Sequence, residues 1–183
     1  TFDLNAKTFT LSGNNIDVLI QGGTFDVDSA ATVSFVNNNQ TIQNNGGTLK
    51  LVGHPSAPAQ VTKTGGTFTI SQTSGTVQAR YYLIDQASGV ILSGGTIDAV
   101  NNFSDGTFNA GVAATTYLNL DNFPIDNSSN LTISNIVFNS GPSKNVRRTS
   151  LPAAPNNGYV TFVDASGGLV GATNETDDGV ATT

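Results

Sequence analysis

The chain has 183 residues, of which 37% are apolar and only 11% charged, with a formal net charge of −6 and no Cys, Met or Trp. This length supports one domain with a core, while the acidity argues against the clustered cations of a nucleic-acid binder. The lack of Cys rules out disulfides and thiolate metal sites, and no apolar run approaches the roughly 20 residues of a membrane-spanning helix.

In chain order, Phe2, Leu4, Phe9, Leu11, Ile16, Val18 and Ile20 mark the first strands, with apolar positions often two apart as a pleated strand requires. Gly13, Asn14 and Asn15 supply a corner. Phe25, Val27, Val33 and Phe35 continue the pattern, and Asn37, Asn38 and Asn39 form a second polar corner. From Leu49 to Val61 the pattern weakens, and His54, Pro55 and Pro58 predict an excursion, since proline cannot donate to a central ladder. A lone His without Cys or a second His is no metal ligand set, and nothing nearby orients it as a general base.

Thr76 to Asp85 reads as the longest strand. Alternation puts Val77, Ala79, Tyr81 and Leu83 on one face and Gln78, Arg80, Tyr82 and Ile84 on the other, so that Tyr82 beside Arg80 is a candidate sugar-stacking platform. Tyr117 joins these two as a third candidate glycan contact. Val90, Leu92, Ile97 and Ala99 repeat the inward pattern. Leu131, Ile133, Ile136 and Phe138 follow, with a corner expected at Ser134 and Asn135. Residues 141–157, with three prolines and the adjacent Arg147 and Arg148, read as an irregular, solvated loop. Asn157 and Gly158 give a strong turn signal. The acidic segment 172–183 holds Glu175, Asp177 and Asp178, whose carboxylates are weak Ca²⁺ candidates with neither EF-hand nor nonapeptide spacing. No other cofactor is implied.

One phrase recurs along the chain. Gly22, Gly23, Thr24, Phe25 is followed by Gly46, Gly47, Thr48, Leu49, by Gly65, Gly66, Thr67, Phe68 and by Gly94, Gly95, Thr96, Ile97, with a degenerate copy at Asp105, Gly106, Thr107, Phe108. Repetition at such intervals means stacked coils. Gly and Asn accept the positive φ of corners while Thr favours strands. The expected architecture is a single all-β domain over 1–183, a right-handed parallel β-helix of about eight coils at about 20 to 24 residues each.

The strings Ser74 to Tyr82, Gly89 to Ile97 and Asn102 to Phe108 resemble large secreted bacterial proteins that carry right-handed parallel β-helix repeats. Ile136 to Asn139, Asn145 to Arg148, Thr161, Phe162 and Gly171 are similar to the segment that follows in those proteins. The resemblance covers Thr62 to the C-terminus and implies an extracellular or cell-surface structural module with no catalytic residues. In that family the pattern continues to a tryptophan-containing strand, which is missing here, so Thr183 reads as a cut or processed end.

The leading expectation is a structural module or fibre subunit that self-associates head to tail through open edges at Phe2 and Leu4 and at Val180 and Ala181. Enzymatic activity is not expected, because polysaccharide lyase or hydrolase chemistry needs paired carboxylates or a base beside acids. Asp26, Asp28 and Asp98 are not joined to such a group. The other rivals are a glycan-binding or adhesin module and an ice-binding protein. The latter would need paired threonines such as Thr8 and Thr10, or Thr67 and Thr69, stacked in a regular array, which intervals of 19 to 29 residues between repeats disfavour. Sequons at Asn39, Asn102, Asn127, Asn130 and Asn174 fall in predicted corners, as chance allows in a chain rich in Asn, Ser and Thr.

Overall fold

The computed structural model describes residues 1–13, 16–177 and 181–182. Among them regular structure is almost entirely strand, the exception being a 3-10 turn at Ala172–Asn174. The strands stack in parallel along three walls. The first wall holds Ile16–Ile20, the leading halves of Gln40–Val52 and Phe68–Arg80, then Ala87–Leu92, Thr116–Asn119, Lys144–Arg148 and Glu175–Asp177. The second holds Phe2–Asp3, Thr24–Val27, the trailing halves of the two long strands and Thr96–Asn102. Beyond these lies a separate sheet of Leu131–Ser134, Val160–Val163 and Ala181–Thr182. The third is one six-stranded sheet: Thr8–Leu11, Thr32–Phe35, Ala59–Lys63, Tyr82–Asp85, Thr107–Asn109 and Val137–Phe138.

This is a β-solenoid of about six turns, fewer than the eight expected. The reason is visible on the third wall, where the in-register column Thr8, Thr32, Gln60, Leu83, Thr107, Val137 advances by 24, 28, 23, 24 and 30 residues. Each turn spends extra residues at its corners, so fewer turns fit the chain.

The interior follows from the alternation. Val33, Phe35, Val61, Ile84, Phe108 and Phe138 are fully buried from the third wall, Ile42, Ile70 and Val90 from the first, and Val27, Leu49, Leu51, Val77 and Ala79 from the second. Aromatic rings stack between turns, Phe35 on Phe68 at 4.9 Å and Phe108 on Phe138 at 5.7 Å between centroids. Polar side chains inside the coil serve the corners. Asn44 donates to the Gln72 side chain and the Thr76 carbonyl and accepts from the Gly47 N–H, and Gln72 donates to the carbonyls of Gly94 and Thr96. Buried backbone groups at a corner need such partners, because each one left unsatisfied costs about 1–3 kcal/mol.

The repeated glycine phrase marks two different corners. Thr24, Thr48, Thr76 and Thr96 form one column in register, so the partner of Gly22–Gly23, Gly46–Gly47 and Gly94–Gly95 is Ser74–Gly75. Gly65–Gly66 instead precedes the first wall and packs beside Asn38. The same turn chemistry serves both places, which is why the phrase alone gave the wrong stacking.

Three further expectations are corrected. Tyr81 is a corner with φ of 51°, so the alternation resets there, and Tyr82 and Ile84 point inward after Val77 and Ala79. Residues 141–157 are not one irregular loop, since Lys144–Arg148 is a first-wall strand with Asn145, Val146 and Arg148 fully buried. At Asn157 the chain already bridges Ile125 in parallel, and the turn lies before it, where the Asn156 N–H donates to the Ala153 carbonyl. The corners at Asn39 and Asn135 stand as expected, with φ of 60° and 55°.

Candidate functional site

The candidate glycan residues do not assemble into a platform. Tyr82 is buried, meets Phe103 and Phe108 edge-on, and donates its hydroxyl to the Phe103 carbonyl at 3.2 Å. Burial pushes its pKa well above the ordinary phenol value. Tyr117 is equally buried, and its hydroxyl donates to the Ser140 carbonyl while accepting from the Gly111 N–H. Neither ring can stack on a sugar. Arg80 does reach the surface, but its Nε donates to Asp105 Oδ2 at 2.8 Å and its guanidinium lies 5.0 Å from the centre of the Tyr81 ring. Asp105 also accepts from Asn135, so Arg80, Asp105 and Asn135 tie three successive turns together on the outer face.

The acids are likewise engaged in structure. Asp26 pairs with Lys50 at 2.7 Å, and Asp28 accepts from the Ala6 N–H. Glu175 and Asp177 fall in the last first-wall strand, opposite Val146 and Arg148, and Asp178 lies outside the described residues. Among the described residues no group of three or more metal-ligating side chains forms. His54 is exposed in a tight turn, its Nδ1 against Ser56 Oγ at 2.9 Å.

The second wall opens into a cleft of about 210 Å³. Its ladder stops at Thr96–Asn102, where only Thr96, Ile97 and Asn102 hold register with the turn below and the intervening residues bulge. The next turn leaves this edge, because Ile125 pairs onward with Asn157. Ile97, Pro124 and Leu131 contribute apolar surface, with Asp98 and Asp126 beside them. One oxygen of each acid caps its own turn: Asp98 Oδ1 accepts from the N–H groups of Val100 and Asn101, Asp126 Oδ1 from the N–H and hydroxyl of Ser128. The Ser128 bonds hold the Asp126 carboxyl below its usual range.

Behind the cleft sits a residue that sequence reasoning misplaced. Arg148 is fully buried, and its guanidinium donates to the carbonyls of Leu120, Phe123 and Gly158 at 2.9 to 3.1 Å. Burial pulls its pKa down and Asp121 pulls it back up. Nothing in an Arg–Arg pair among prolines distinguishes the buried arginine from the exposed one; only the strand register does.

The first turn carries the largest departure from a closed surface. Among the described residues, Phe2–Asp3, Thr8–Leu11 and Ile16–Ile20 each pair on one side only. Phe2 is 51% exposed, its ring 5.6 Å from Phe25 in a stacked arrangement and 5.4 Å from Phe9. Leu4, by contrast, is buried, so of the two residues expected at this edge only Phe2 presents its side chain. At the other end Glu175–Asp177 pairs with Lys144–Arg148 and Ala181–Thr182 with Val160–Val163, and Val180 lies outside the described residues. Comparison with protein-family models, curated proteins and solved structures finds no match in any of the three.

Proposed function

We propose that the chain is a structural, non-catalytic β-solenoid module of an extracellular or cell-surface assembly, and that copies stack head to tail. The observation that carries this reading is the exposed Phe2 ring on a turn whose strands, among the described residues, pair on one side only. Unpaired edges are templates for another chain. All of the strand ladders among the described residues are parallel, so a second copy continues them only when its last turn meets the first turn of its neighbour. Such a heterologous contact does not close on itself and propagates as a filament. Burying the remainder of the Phe2 ring contributes about 1 kcal/mol at each contact, with the ladder bonds supplying direction. The extracellular setting rests on the composition and on the resemblance stated above. A glycan-binding role loses its aromatic platforms, since Tyr82 and Tyr117 belong to the core.

Light scattering on size-separated protein tests the reading. The native chain is expected to form species whose mass grows with concentration, and Phe2→Asp to remain monomeric with an unchanged circular dichroism spectrum. A native chain that stays monomeric over the whole concentration range contradicts it.

A further inference from the structure

The third wall presents two outward columns in register. The first is Thr8, Thr32, Gln60, Leu83, Thr107, Val137, and the second is Thr10, Ser34, Thr62, Asp85, Asn109, Asn139. Neighbouring positions lie about 4.8 Å apart across strands and about 6.6 Å apart along them. The unequal turn lengths do not disturb this lattice, because the surplus residues leave at the corners, as at 53–58 and 110–115.

Three properties set this face apart. It is nearly uncharged: Asp85 is the one ionisable residue in the two columns, whereas the second wall carries Asp26, Lys50 and Asp98 and the first Lys144 and Arg147. It is rigid: Thr62 Oγ1 donates to Asp85 Oδ2 at 3.2 Å, Asn109 Nδ2 to Asp85 Oδ1 at 2.7 Å, and Asn139 Nδ2 to Asn109 Oδ1 at 3.2 Å. That chain of bonds occupies both Asp85 oxygens and braces four turns. It also favours flatness, since side-chain ladders and stacking are what keep a many-stranded sheet from twisting.

We infer that the third wall is an ice-binding face. A crystalline water surface offers a ligand with no charge, no pocket-filling group and a repeat in two dimensions. The matching protein surface is a stiff, flat array that alternates hydroxyl and amide groups with methyl groups at fixed intervals. Threonine supplies a hydroxyl and a methyl on a side chain stiff at χ1, and it occupies five of the twelve positions, Thr8, Thr10, Thr32, Thr62 and Thr107. Water bound between such fixed groups loses little further freedom when the crystal joins it. The inference concerns a lateral face and is independent of end-to-end assembly.

Thermal hysteresis and ice-crystal shape, read on the native chain and on three variants, test it. The native chain should separate melting from freezing and produce faceted crystals. Thr32→Lys and Thr107→Lys on the third wall should lose both effects to the level of buffer, and Thr48→Lys on the second wall should retain them, all three with unchanged melting temperature. A fluorescently labelled native chain should also be incorporated into a growing ice hemisphere, a readout that needs no variant. Absence of hysteresis and of incorporation overturns the proposal, as does equal activity in the third-wall variants or equal loss in the second-wall control.

Discussion

Arg147 and Arg148 stand next to each other in one strand and differ in everything that matters to stability. Arg147 pairs with Asp121 at 2.5 Å on the surface, and exposed ion pairs of this kind are worth at most about 1 kcal/mol. Arg148 satisfies three buried carbonyls. Arg148→Met should therefore cost about 3 kcal/mol or more in urea denaturation, and Arg147→Met no more than about 1 kcal/mol; equal losses would show that Arg148 is not the interior cap described here. Titratable groups add a pH signature. Burial raises the Asp121 carboxyl, but hydrogen bonds from Arg147 and Thr149 outweigh it, and the net pKa is lowered. A carboxyl depressed in the fold adds stability above its unfolded value of about 3.9, lost as pH falls through the folded value. Tyr82 works in the opposite sense. Its raised pKa adds stability that is complete below about pH 10 and lost as pH rises through the folded value. The melting temperature should thus fall below about pH 4 and again above about pH 10, and the alkaline fall should weaken in Tyr82→Phe.

At the scale of the element, the corner column formed by Gly47, Gly75 and Gly95 sets the close approach of successive turns. Gly75 has φ of 83°, and a Cβ there would meet the Gly47 carbonyl oxygen at 2.2 Å. Gly168 has open space around it. Gly75→Ala should destabilise by more than about 2 kcal/mol, while Gly168→Ala stays within about 0.5 kcal/mol of the native chain, as measured by thermal or urea unfolding. The strand pattern was legible in the sequence because inward positions such as Val33, Phe35, Val61 and Ile84 keep period two. Stacking order was not, because Gly65–Gly66 and Gly46–Gly47 carry the same turn chemistry at different corners. Tyr82 was misread for a related reason: one positive-φ residue, Tyr81, inverts the alternation, and no glycine marks the spot. The first-wall strand at Lys144–Arg148 was hidden by the prolines on either side of it, Pro142, Pro152 and Pro155, and by two polar residues, Asn145 and Arg148, that face inward to satisfy backbone groups.

For the whole molecule, parallel stacking in register is the fold, and in the proposed assembly it is also the means of growth. Each internal turn takes its ladder bonds from the turns on either side, and among the described residues the strands of the first turn pair on one side only. The architecture was readable from the recurrence of the glycine phrase and from the scarcity of charge, whereas the exposed ring of Phe2 and the low-charge third wall emerge only once register places their neighbours. Electron micrographs of the native chain test the central claim of head-to-tail growth most directly. Growth predicts unbranched filaments with an axial repeat of about 30 Å, the length of six turns at the spacing of adjacent strands. Discrete particles of one chain's dimensions at every concentration would contradict it.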